Sequence, residues 1–379
     1  MDKNATNFLS LDYELVPIEK IIITADSNFS DYGFPGTGSA NDPYIIENYN
    51  ITKPYYAGIV IYETTKHFEI RNCYIDSDEG IILIRIQAQT AKISDNIINN
   101  SYSYYNCDAF GIRVYESDFV TITNNTFINS KSSIQIFESK SPVVHKNTCY
   151  ITLSDKLQYA SGISITACVS ASVKFNNCTK VPLGYSITKC YSSVFSNNYA
   201  LENSGTGVWI MASNNTIVND NVFKSIGSYG ILLRFNNYSS LNNNTCENTN
   251  YGMKLLYTSN SKIHFNMIRD NIDYGIYVDN CSNSNLITHN SFIKNKVGDK
   301  YSQAYDAGSD NVWYNSKTKE GNYWSDLGKN ETYTIDGSAD SIDIYPLNEN
   351  LERTSFMLIS MVLLLICFSF ISIRRRKSS

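Results

Sequence analysis

Three consecutive stretches decide the fold: residues 207–229 read GVWIMASNNTIVNDNVFKSIGSY, residues 230–251 GILLRFNNYSSLNNNTCENTNY, and residues 252–274 GMKLLYTSNSKIHFNMIRDNIDY. Laid over one another, they begin on Gly207, Gly230 and Gly252. Apolar residues follow one and three places later, Val208/Ile210, Ile231/Leu233 and Met253/Leu255, and that alternation is the signature of a strand. The register extends outward through Gly58, Gly80, Gly111, Gly162, Gly184 and Gly275, with Ser133 of SSIQIF filling the gap between Gly111 and Gly162. Most steps are 22 or 23 residues.

A second landmark falls usually 14 residues after the glycine, at Asn72, Asn96, Asn125, Asn147, Asn176, Asn197, Asn221, Asn244, Asn266 and Asn290. Three residues before it stand apolar residues such as Ile93, Ile122, Val173 and Val194. Two residues after it stand Tyr74, Ile98, Phe127, Cys149, Cys178, Tyr199, Phe223, Cys246, Ile268 and Phe292. Each unit therefore makes two or three short strands with no room for a crossover helix. Such units bury their apolar positions only by coiling the chain and stacking coil on coil. The expectation is all-β, a parallel β-helix of about ten coils at residues 51–300, with caps at 1–50 and 301–350. The asparagines are expected to stack in left-handed turn conformations and bond to one another.

Composition agrees with this reading. The chain has 379 residues, 42% hydrophobic and 18% charged, with 45 asparagines, 29 tyrosines and 7 prolines. That balance excludes disorder and an all-helical fold. A net charge of −5 gives no basic footprint for nucleic acid, which is not expected as a partner. Residues 355–373 form an uncharged run long enough for one transmembrane helix, and Arg374, Arg375, Arg376 and Lys377 in the tail 374–379 place that end in the cytoplasm. The β-helix is then extracytoplasmic on a single-pass membrane anchor. Residues 1–10 lack a signal-peptide core, so a leader upstream of Met1 is expected; the rival, a tail anchor with a cytosolic domain, puts the basic run on the disfavoured side.

The repeats resemble those of NosD-type right-handed parallel β-helix proteins, within the wider group of carbohydrate-binding and sugar-hydrolase β-helices. Two flanking motifs are also similar: residues 36–46 (GTGSANDPYII), and residues 321–326 (GNYWSD) followed by 343–347 (DIYPL). The resemblance spans about residues 20–347 and implies a right-handed coil. It also implies a link with copper delivery, which the residues do not support. His67, His145, His264 and His289 are spread along the chain, with His145 and His264 sharing one slot several coils apart, and no Met or Cys-x-x-Cys cluster accompanies them. No cofactor is expected.

Of the nine cysteines, Cys149, Cys178 and Cys246 fall in an inward slot, and Cys168, Cys190 and Cys281 fall six residues after the glycine. They read as small stacking residues. A Cys168–Cys190 bridge is open at the Cα level, although parallel stacking separates Cβ atoms beyond the relaxed disulfide distance.

The rhythm breaks twice, at one corner. From asparagine to glycine takes 15 residues after Asn96 and again after Asn147, making insertions at 101–108 (SYSYYNCD) and 150–159 (YITLSDKLQY). Insertions on one face of a solenoid are where function gathers. The expected glycan site comprises Tyr104, Tyr105, Asp108, Arg113, Tyr115, Gln135, Asp155 and Tyr159, since aromatic faces stack on sugar rings while amide, Arg and carboxylate groups bond hydroxyls. The row Tyr229, Tyr251 and Tyr274 reads as a stacking ladder, with a sugar platform as the alternative. Four residues after each glycine no acidic cluster forms, which disfavours the paired carboxylates of a hydrolase, although Glu116, Asp118 and Glu138 lie near the insertions. The sequence thus points to a membrane-anchored cell-surface β-helix, non-catalytic, acting as a carbohydrate-binding or scaffold module. A polysaccharide lyase or hydrolase and a metal-delivery accessory are the alternatives, and protein partners are not indicated.

Overall fold

The computed structural model describes residues 14–52, 56–87, 91–101, 109–152, 160–295 and 302–350. The chain winds into a solenoid in which every coil contributes three short strands, each paired in parallel with its counterpart on the next coil. The first strand of a coil is the glycine strand, from Ala57–Tyr62 through Glu79–Ile84, Phe110–Tyr115 and Ser132–Phe137 to Ile276–Val278. The second includes Lys92–Ser94, Thr121–Thr123 and Lys262–His264, in a sheet of 11 strands. The third follows the asparagine, as in Thr126–Ile128. First and third strands belong to one 23-stranded sheet. Within Val222–Arg234 and Thr245–Leu256 the third strand of one coil runs without a break into the first strand of the next.

Alternation dictates the core. Ile112 pairs with Ile134, Ile134 with Ile163, Ile163 with Tyr185, and Tyr185 with Val208. All are buried, in one apolar column that runs from Ile21 to Ile335. Each such side chain contributes roughly 1.5–3 kcal/mol on burial. Gly207 stands where a Cβ would lie 2.5 Å from both the Gly230 carbonyl oxygen and Phe223 Cδ1, so the strand crossing needs glycine.

The asparagine ladder forms, with corrections at two of its members, Asn72 and Asn197, and one to its conformation. The bonded amides are Asn96, Asn125, Asn147, Asn176, Asn198, Asn221, Asn244, Asn266, Asn290 and Asn322. At Asn176 the side-chain oxygen accepts the Asn147 backbone N–H (2.9 Å) and Nδ2 (3.0 Å), while its own Nδ2 donates to the Val144 carbonyl (2.9 Å). The left-handed residue is the one before each rung, including Asn124, Lys146, Phe175, Asn197 and Asp220, with φ of 56 to 58°. Asn72 and Asn197 occupy that turn position, while Cys73 and Asn198 take the inward place. The unit registers therefore shift by one there, and Ile75, Phe195 and Ala200 fill the core where Tyr74, Val194 and Tyr199 were expected. An Asn-Asn or Asn-Cys doublet reads equally well in either register, and the interior volume decides.

The slot six after the glycine makes a second ladder. The Ser117 N–H donates to Ser139 Oγ (3.1 Å), the Cys190 N–H to Ser213 Oγ (2.9 Å), and the Thr258 N–H to Ser282 Oγ (2.9 Å). Ser282 occupies the place expected for Cys281, which is half-exposed. Cys168 and Cys190 are buried free thiols, not a disulfide.

The stacking continues into the flanks, with Ile21–Ile23 on Ile59–Ile61 and Ala304–Asp306 on Ile276–Val278. At one end Phe29, on the short helix Asn28–Asp31, stacks on Tyr44 at 4.6 Å. At the other, Trp324 lies between Phe292 (4.1 Å) and Tyr333 (3.9 Å). Its indole N–H donates to Asp343 (2.9 Å), a buried carboxylate that also accepts the Asn322 N–H (2.7 Å). Burial raises the Asp343 pKa. The GNYWSD and DIYPL motifs are thus the two halves of one cap. Among the described residues no helix is long and apolar enough to cross a membrane, and the expected span at 355–373 lies outside them.

Candidate functional site

Positions two after the glycine face outward and form a column along the first strands: Ile82, Arg113, Gln135, Ser164, Ser186, Trp209, Leu232, Lys254, Tyr277 and Tyr305. The next outward slot places Tyr115 beside Phe137 on the adjacent coil. Of the expected site, Arg113, Tyr115 and Gln135 are brought together. Tyr104, Tyr105, Asp108, Asp155 and Tyr159 lie outside the described residues.

Arg113 is held from three sides. Its Nε donates to Gln135 Oε1 (3.3 Å), its Nη1 pairs with Glu79 Oε1 (3.4 Å), and its guanidinium carbon sits 3.4 Å from the Phe110 ring centroid. The Glu79 side chain is 5% exposed and that of Arg113 16%, so the pair is largely removed from water. Tyr115 and Phe137 stack at 4.9 Å with 9° between their planes, making a flat aromatic surface. Nearby Tyr56 has its pKa raised by burial and by the Glu79 charge. Further along the corner, Tyr150, Ile151, Thr152, Lys180, Pro182, Glu202 and Ser204 line a cleft of about 620 Å³ at the stem of the second insertion.

A second aromatic cluster occupies the opposite end of the outward column. Tyr277 stacks on Tyr305 at 4.7 Å and 5°, Tyr251 meets Tyr277 edge-on at 5.8 Å, and Tyr229 lies 5.7 Å from Tyr251. Tyr274 leans to the side, with its hydroxyl donating to Asp336 (3.3 Å). The row expected to be Tyr229, Tyr251 and Tyr274 is therefore a patch built from two slots, with Lys254 inside it. The signal was present in the sequence. Reading the slot two after the glycine yields Lys254 and Tyr277, as reading the slot before it yields Glu79.

The histidines divide. His145 lies 5.1 Å from Phe175, and its Nε2 is buried with no hydrogen-bond partner among the described residues. His264 and His289 sit either side of Phe265, at 5.3 and 4.9 Å, and His289 Nε2 contacts Glu320 Oε2 at 3.0 Å. Two of the four imidazoles are thus neighbours on adjacent coils, which linear spacing concealed.

Residues 149–328 match the family described as periplasmic copper-binding protein (NosD), and residues 32–181 match the right handed beta helix region. Together with the stacked coils, these matches make the chain a NosD-type right-handed parallel β-helix protein. No curated protein matches it significantly. Among solved structures, the A-module of the Azotobacter vinelandii mannuronan C-5 epimerase AlgE6 is 12% identical, with a TM-score of 0.49 over 86% of this chain and 96% of that one. A mannuronic acid specific family 6 lyase from human gut microbiota is 12% identical, with a TM-score of 0.46 over 70% and 79%. An exopolygalacturonase from Thermotoga maritima is 10% identical, with a TM-score of 0.39 over 74% and 93%.

The described donors are not gathered as a copper site requires. Among the described residues no group of three or more His, Cys, Asp or Glu stands together as a metal site. A thiol binds metal as thiolate, yet burial pushes Cys73 up to about 12 and raises Cys178 and Cys246 as well. These sulfurs are core atoms held in the protonated form.

Proposed function

We propose that the protein is an extracytoplasmic glycan-binding module without catalytic activity, tethered by residues 355–373 and presenting the outward face of its first strands. One observation supports this above the rest: the flat Tyr115–Phe137 pair beside Arg113, which Glu79 and Gln135 hold in place. Stacked rings receive the C–H face of a pyranose, and a fixed guanidinium and amide bond its hydroxyls with little ordering left to occur. The periplasmic description of the matching family is consistent with that placement. A glycan array probed with the purified full chain, alongside the variant Tyr115→Ala, tests the reading. Binding that Tyr115→Ala weakens supports it; absence of binding, or binding indifferent to Tyr115, refutes it.

One feature favours a second reading, glycoside hydrolysis. Glu116 and Glu138 are exposed, follow Tyr115 and Phe137 directly, and occupy the same left-handed turn slot on adjacent coils. Coils lie about 4.8 Å apart, close to the carboxyl separation of a retaining glycosidase. Release of reducing ends that Glu116→Gln and Glu138→Gln both abolish would establish the enzyme over the binder.

A further inference from the structure

We propose that Lys254 and the tyrosines around it form a subsite for an acidic sugar, with the ammonium taking the carboxylate or sulfate and the rings taking the sugar face. This rests on the glycan-binding reading above and adds a charge requirement to it. Lys254 stands six coils from Arg113 in the same outward column, about 29 Å along the rod at about 4.8 Å per coil. Its Nζ lies 4.6 Å from the ring centroids of Tyr251 and Tyr277 and 5.4 Å from that of Tyr229. Tyr277 and Tyr305, stacked nearly parallel, continue the surface as a platform.

The charge is what separates this patch from a neutral aromatic ladder. Three arginines elsewhere on the rod face carboxylates: Arg113 faces Glu79, Arg71 faces Glu47 at 2.7 Å, and Arg269 faces Glu247 at 2.9 Å. Among the described residues Lys254 has no ion-pair partner. Burial lowers its pKa, while the more distant Asp279 works the other way. An ammonium partly stripped of water, held among ring faces with no carboxylate at ion-pair distance among the described residues, gains most from an anion that arrives with the ligand. A neutral sugar would satisfy the rings and leave that charge unmatched.

The test measures affinity of the purified full chain for three oligosaccharides of one length: an oligogalacturonate, its carboxyl-reduced neutral counterpart, and a sulfated form of the neutral one. At low salt, at least one acidic probe should bind about tenfold or more tighter than the neutral one, in line with a charge-assisted hydrogen bond. The probe with the advantage names the acid. Lys254→Gln should bring it down to the neutral affinity, and Lys254→Arg should keep it. Equal binding of acidic and neutral probes, or a preference unchanged in Lys254→Gln, overturns the subsite while leaving glycan binding intact. Failure to bind any probe or any glycan on the array overturns the parent reading.

Discussion

The inside and the outside of the same coils follow different rules. Inward, the rung after each turn is asparagine on ten coils, from Asn96 to Asn322, and each amide from Asn96 to Asn290 donates to the oxygen of the next rung, the last rung, Asn322, turning instead to Asp343. Outward, the slot two after the glycine changes from Ile82 to Arg113, Gln135, Trp209, Lys254 and Tyr277. Parallel stacking forces identical neighbours only where a polar group must be satisfied without water. Where solvent can do that work, the chain is free to vary.

The largest effect should come from breaking the inner rule. Asn176→Ala removes the acceptor for the Asn147 N–H and Nδ2 and the donor to the Val144 carbonyl, all buried. A loss of about 3–5 kcal/mol in denaturant unfolding is expected. A loss below about 1 kcal/mol would mean that the rungs are not a shared network. Next comes the cap, where Asp343→Ala frees the Trp324 indole and the Asn322 N–H. It should lower stability by about 2–3 kcal/mol and shift the Trp324 fluorescence to the red.

On the outer face the order of effects should reverse. Tyr115→Ala should change stability by about 1 kcal/mol or less, while weakening glycan binding about tenfold. A large stability loss with no change in binding would make this pair structural and erase the contrast.

A pH series sharpens the comparison on the second strands. Burial lowers the pKa of His145 and His264 below 6.5, so each is favoured neutral in the folded state. The unfolded chain then binds more protons near that pH, and the stability they contribute is full above 6.5 and falls as pH drops through it toward the folded values. The unfolding midpoint of the wild type should decline over that interval, and His145→Phe with His264→Phe should flatten the slope. The smallest effect should be that of Lys180→Met, since the Lys180–Glu202 pair is mostly in water and is worth under about 0.5 kcal/mol.

Much of the fold was legible because the core positions repeat. Gly111, Ile112 and Val114 announce their strand, and the 22- or 23-residue step announces the stacking. Registers failed at Asn72 and Asn197, where the sequence gives two polar candidates side by side and only the space inside the coil selects between them. Cys281 failed for the same reason, with Ser282 adjacent and better able to accept the Thr258 N–H. Arg113, Tyr115 and Gln135 were legible from their outward slots, whereas Glu79 and Phe110 precede Gly80 and Gly111 in a slot with no repeating residue type on those coils, so only the stacking brings them against the guanidinium. The tyrosine row marks the slot before the glycine, whereas Lys254, Tyr277 and Tyr305 share the outward column two places after it, so the contact between row and column needs both slots at once. The His264–Phe265–His289 contact needs the turn geometry that brings adjacent coils edge to edge.

Tyrosine modification read by mass spectrometry, with and without a saturating glycan from the array, tests the central claim most directly. Tyr115, Tyr251, Tyr277 and Tyr305 lie on the first-strand face, whereas Tyr191 and Tyr238 are 49% and 63% exposed at the turn beyond it. Protection confined to the first group is the predicted result. Protection of Tyr191 and Tyr238 with Tyr115 and Tyr277 still reactive would contradict it.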